Sequence, residues 1–114
     1  MPNEPRIISL LESKISRAIE ELRPPVEIRH ELDVGYTFKT NTLEVFEIRP
    51  YWDNPQKITH TPVAKVRYIK SSNIFKIYWM RGNLKWYPYD PAEVKSIEEF
   101  FQILEKDEYG CFWG

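Results

Sequence analysis

A single cysteine, Cys111, leaves no partner for an internal disulfide, which excludes the small secreted scaffolds that such bonds hold together. A reducing compartment fits best, and the cytoplasm is the expected location. The four glycines, Gly35, Gly82, Gly110 and Gly114, are too scattered to form a phosphate-cradling loop. The longest apolar stretches, Ile7-Ile8 and Leu10-Leu11, fall far short of a membrane span, and "MPNEPR" has neither the basic start nor the apolar core of a signal peptide. No membrane partner is expected. The two histidines have no cysteine or second histidine at metal-binding spacing, so neither a metal nor a cofactor is expected. The most informative absence is local: from Asn54 to Tyr89 there is no aspartate or glutamate.

What is present is ordinary for a folded chain. Hydrophobic residues make up 42% of the 114 and charged residues 29%, without a low-complexity tract, so residues 1–114 read as one globular domain able to bury its own core.

Between Pro5 and Pro24, Ile7, Ile8, Leu11, Ile15, Ala18, Ile19 and Leu22 follow the three-and-four spacing of an amphipathic helix, which Pro24-Pro25 ends. The period then becomes two. Val26, Ile28, Leu32, Val34, Tyr36 and Phe38 alternate with polar residues as one long strand, placing His30 on its apolar side as a core or boundary residue. "KTNT" turns the chain into "LEVFEIRPYW", so 26–51 reads as a hairpin. A strand over about Val63–Lys70, then "IFKIYWM" and "LKWYPY", completes a meander of four to five antiparallel strands; His60 falls in an exposed loop, "KITHTP". Ser96 followed by Glu99 is a capping box ahead of a second amphipathic helix over about 96–107. The layout is α+β, with the N-terminal and C-terminal helices flanking the meander, and the apolar "YGCFWG" is expected to dock on the sheet or on a neighbouring chain. Cys111 has no sequence neighbour to activate it and reads as a packing residue, which argues against a nucleophilic hydrolase.

"FEIRPYWDNP", residues 46–55, admits two readings. Pro50 weakens pairing and "DNP" makes a turn, so the end of a strand is a sufficient local account. Alternatively Glu47 and Arg49 share a face with Asp33 and Lys65 as a polar cluster. Asp33 and Glu47 would then hold a divalent ion in a phosphodiesterase or nuclease, although arginine is a poor substitute for the lysine such chemistry uses. Cross-strand charge pairing accounts for the same four residues without any activity.

The charge map is sharper. Residues 54–89 carry seven bases (Lys57, Lys65, Arg67, Lys70, Lys76, Arg81, Lys85), whereas residues 1–53 hold ten acids and seven bases and residues 90–114 hold seven acids and two bases. Tyr68, Phe75, Tyr78, Trp79, Trp86, Tyr87 and Tyr89 are interleaved with these bases. Cations neutralise phosphates and flat rings stack on unpaired bases, so Trp79, Arg81, Lys85 and Trp86 around the "RGN" turn are the candidate binding surface. The competing account is that acidic neighbouring strands neutralise these bases and that half of the rings face the core.

The segments "FEIRPYWDNP", "PVAKVRYI", "YWMRGNLKW" and "YGCFWG", in that order, resemble a family of small bacterial proteins catalogued only as a domain of unknown function, over about Glu31 to Gly114. The resemblance implies a bacterial source and one domain filling the chain. Its motif run includes Glu47, Arg49, Asp53, Lys65, Trp79, Arg81, Lys85 and Trp86, and it brings no activity, cofactor or partner. The sequence therefore leads to a non-enzymatic binding module for nucleic acid or another polyanion. The alternatives are the metal-dependent phosphodiesterase and a homo-oligomeric adaptor joined through "YGCFWG" or a sheet edge.

Overall fold

The computed structural model describes residues 4–113, with side chains from residue 8 onward. Helix α1 (Glu4–Leu22) presents Leu11, Ile15 and Ile19 to the core, with Ile8 and Leu22 packed at its margin. The side chain of Ile7, assigned to the same stripe, lies outside the described residues, as does Gly114. Helix α2 (Ile97–Lys106) starts as the capping box requires: Ser96 Oγ accepts from the Glu99 amide at 3.2 Å. The Glu99 carboxylate reaches back to the amide of Lys95 rather than to that of Ser96.

Between the helices run five antiparallel strands paired in chain order: β1 (Asp33–Lys39), β2 (Thr42–Tyr51), β3 (Asn54–Ile69), β4 (Ile74–Met80) and β5 (Trp86–Val94). The α+β layout expected from the sequence is what the chain forms. Both helices lie on one face, α1 against β1 and α2 while α2 contacts β4 and β5. On that face Val34, Leu43, Val45, Ala64, Val66, Phe75 and Ile77 join the helical stripes in one hydrophobic cluster. Among the described residues no helix lies on the other face of the sheet.

Three strand boundaries differ from the sequence reading, one of them that of β5, which runs on to Val94 instead of ending with "LKWYPY" at Tyr89. The first strand starts at Asp33, not at Val26; residues Val26–Ile28 form a single 3-10 turn in which Val26 and Ile28 are exposed. Their alternation imitates a strand, but the ladder with β2 begins only at the Asp33–Ile48 pair, so the segment has no strand to pair with. It turns the chain from helix to sheet instead, held by Arg29 Nε donating to the Pro24 carbonyl at 2.8 Å. His30 accordingly lies in the turn with its side chain exposed, not in the core.

The second difference is the length of β3. "KITHTP" is strand rather than loop, and it pairs with β2 as far as the turn at Trp52-Asp53. β4 meets β3 only up to the Ala64–Trp79 pair, and β1 meets β2 only up to Ile48. Beyond those points β2 and β3 continue alone as a two-stranded arm, in a molecule 48 Å long and 27 Å across. A bulge at Val63 interrupts the β2–β3 register: Ala64 faces Val45, Pro62 faces Phe46, and the extra residue Val63 turns into the core. Pairing breaks again between Pro50 and Tyr51, where proline has no amide to donate.

The tail, as far as Trp113, docks on its own chain. Asp107 ends α2 in the left-handed conformation, and Gly110 at φ 66° supplies the next turn. The Asp107 carboxylate accepts from the amides of Phe112 and Trp113, at 3.1 and 3.0 Å, and Trp113 Nε1 donates to the Leu104 carbonyl at 2.9 Å. Phe112 is buried against Tyr89, with ring centroids 4.8 Å apart. Cys111 is half-buried, and burial pushes its thiol pKa up, away from reactivity.

Candidate functional site

Residues opposite one another in the ladder share a face, so the register fixes what the helix-free side carries. One row across the sheet is Lys39, Thr42, Arg67, Lys76 and Glu93. The next is Thr37, Glu44, Lys65, Tyr78 and Pro88. Beyond it, Met80 pairs with Trp86 on one side, and Gly35, Phe46 and Pro62 align on the other. An exposed sheet face is ordinarily polar; this one holds cations at one end and rings in the middle.

Lys65 is the centre of that arrangement. Its ammonium lies 5.0 Å from the Tyr78 ring centroid and 5.2 Å from that of Trp86. Although Glu44 stands opposite Lys65 and Glu93 opposite Lys76, neither pair closes to an ion pair among the described residues. Lys57, Arg67, Arg81 and Lys85 likewise show no carboxylate partner among them. Among the described residues these six bases therefore form no close ion pair, although Glu44 and Glu93 stand opposite Lys65 and Lys76 in the ladder.

The four residues chosen as a binding surface are divided between the two faces. Trp79 pairs with Tyr87 on the helix side, where the Arg81 guanidinium lies 5.0 and 4.3 Å from their ring centroids. Trp86 is on the opposite side with Lys65. The turn between them, Arg81 to Lys85, exposes Leu84 at 77% with a φ of 64°.

The proposed polar cluster is also dispersed. Glu47 pairs with Val34 on the helix-side face and accepts from Arg49 Nη2 at 2.9 Å, while Lys65 is on the other face because its partner, Glu44, has the opposite parity. Asp33 stands opposite Ile48 and gives its carboxylate to Arg23, whose Nε and Nη2 both donate at 2.9 Å. Arg23 holds the Asp33 carboxyl below the usual carboxylate range, and the pair raises the arginine in return. Among the described residues no group of three or more His, Cys, Asp or Glu side chains is placed to hold a metal ion.

The sequence reading missed Tyr78 and Met80 as members of a surface with Trp86, and it missed the pairing of Phe46 with His60. These rings stack with centroids 4.5 Å apart and planes within 10°. Gly35 makes room for the same ring: a Cβ there would meet Phe46 Cε2 at 2.8 Å. Register was the missing signal, since parity within each hairpin decides which rings share a face.

Of the four tryptophans only Trp52, at the arm's turn, is well exposed, at 85%. Among the described residues no helix is long and apolar enough to cross a membrane.

Residues 2–114 match the family described as "Domain of unknown function (DUF3024)", and the chain belongs to it; the match takes in α1, which the resemblance noted above did not cover. No curated protein and no solved structure matches the chain.

Proposed function

We propose that this family member is a non-enzymatic module that binds single-stranded nucleic acid, or a polyanion of similar chemistry, on the helix-free face of its sheet. The observation that carries the reading is Lys65, without a carboxylate partner among the described residues and resting over Tyr78 and Trp86. A cation over an exposed ring is stabilised by only about 0.5–1 kcal/mol. A hydrogen bond to a charged group contributes about 1.5–3 kcal/mol, so an arriving phosphate draws the ammonium off the rings. The freed Tyr78 and Trp86 faces then accept a base, and Arg67 and Lys76 in the next row meet the following phosphates.

The phosphodiesterase alternative rests on less. Asp33 is engaged by Arg23, Glu47 by Arg49, and among the described residues the two carboxylates are not gathered with a third donor.

The test is anisotropy of a labelled mixed-sequence DNA or RNA single strand, at low and near-physiological salt. Binding that weakens steeply with salt is expected, with Trp86→Ala costing about 1–3 kcal/mol of affinity. No binding at low salt would remove the proposal and turn attention to protein partners.

A further inference from the structure

Along the arm the two faces exchange character. On β2, Leu43 and Val45 point to the helices, but Phe46 and Ile48 point away from them. On β3, Val66, Ala64 and the bulged Val63 point inward, whereas Pro62, His60 and Ile58 share the faces of Phe46, Ile48 and Pro50. The helix-side face of the arm is polar, with Glu47, Arg49, Thr59 and Thr61, and the carboxylate of Glu47 is held there by Arg49. The apolar side of the arm therefore continues the face that carries Tyr78, Met80 and Trp86; the carboxylate in register with it is Asp33, opposite Ile48, which Arg23 engages.

The arm is poorly suited to recruit another strand. Pro50, Pro55 and Pro62 lack amide donors along its edges, and lysine and proline are the residues that discourage edge-to-edge addition. Contact is left to side chains. At the tip these are Trp52, Ile58 at 62% exposure, and Lys57, whose ammonium lies 5.6 Å from the Tyr51 ring centroid. Lys57 lies eight residues, about 26 Å, further along β3 than Lys65 at some 3.3 Å per residue, and Tyr51, in line with Glu47 and Arg49 on β2, places this second cation and ring on the polar side of the tip.

We infer that the arm is a second contact for the same nucleic-acid strand, which leaves the Lys65 platform and runs out over Phe46 and His60 to Trp52. The inference rests on the reading of the platform given above. A short oligonucleotide reaches the platform alone; a longer one engages both, within the range of about 4–16 nucleotides that small single-strand binders cover. Linked contacts raise affinity by up to ~10²–10⁴, so a gain of at least about tenfold with length is expected.

The experiment compares labelled oligothymidylates of about 4 and about 16 nucleotides on the full chain, the double variant Trp52→Ala with Ile58→Ser, and Trp86→Ala. Both arm substitutions are at exposed positions, and circular dichroism checks that the fold is kept. The expected result is that the arm variant binds the short probe as the unaltered chain does and loses the gain with length, whereas Trp86→Ala weakens both. If the gain survives in the arm variant while Trp86→Ala still weakens binding, the arm inference is overturned and the platform stands. If no probe binds at low salt, both are overturned. A drop in mass by light scattering caused by the arm substitutions would overturn the inference in favour of a second copy of the chain.

Discussion

Lys65 on β3 and Trp86 on β5 belong to strands that do not pair, yet the lysine ammonium spans Tyr78 of β4 to lie 5.2 Å from the indole centroid. Three strands thus converge on one cation, which ties this cluster of the open face to a single substitutable residue.

Lys65→Met keeps most of the side chain's bulk and removes its charge. The fold should lose less than about 1 kcal/mol, the scale of a cation over an exposed ring. Affinity for a single strand should fall, and the slope of log affinity against log salt should become shallower by about 0.7, the share of one phosphate contact. Anisotropy titrations at four salt concentrations would read the slope. An unchanged slope would mean that Lys65 meets no phosphate.

The Arg23–Asp33 pair gives stability a defined dependence on acid. Asp33 titrates below its ordinary 3.8 because Arg23 bonds its ionised form, and Glu98 below its ordinary 4.5 because of Lys14. For such groups the stabilising contribution is complete above the unfolded-state value and disappears as the pH falls through the lower folded value. Asp33→Asn should lower Tm at pH 7 by on the order of 4 °C. The gap between variant and unaltered chain should close as the pH drops below 3.8, and thermal melts from pH 7 to pH 2 would follow it.

Leu84 occupies the left-handed region at the tip of the β4–β5 turn while remaining 77% exposed. A side chain there costs the fold about 1–2 kcal/mol relative to glycine. Leu84→Gly should therefore raise the urea midpoint, offset in part by the greater freedom of glycine in the unfolded chain. A lowered midpoint would show that Leu84 packs in solution.

The bond from Asp107 to the tail amides predicts a local effect. Asp107→Ala leaves the amides of Phe112 and Trp113 without their acceptor and should destabilise the fold by about 1–3 kcal/mol. Hydrogen exchange should speed up at those two amides first. Loss of protection spread evenly over the sheet would count against a clamp.

The sequence carried the layout well where period and punctuation agree. The stripes Leu11, Ile15, Ile19 and Ile97, Phe100, Leu104 follow from spacing alone, and Ser96 with Glu99 marks the start of α2. It misled where alternation had nothing to pair with, as at Val26 and Ile28, and where an apolar pattern was too weak to show a strand, as in "KITHTP". The candidate surface failed for a different reason. Trp79 and Trp86 look equivalent on the two sides of a turn, but Met80 rather than Trp79 stands opposite Trp86, so the two indoles point apart. Face membership depends on register, and register depends on turn length and bulges that residue types alone do not settle.

Val63 gives the arm a particular tolerance to changes in chain length. As a supernumerary residue between Ala64 and Pro62, it can be deleted with every ladder partner on either side retained; what is lost is a buried valine and the bend of a bulge. One residue gained or lost between 56 and 62 instead exchanges the threonine side for the histidine and isoleucine side. Insertions and deletions in this strand are therefore of two kinds, one that re-aims the arm and one that turns it inside out.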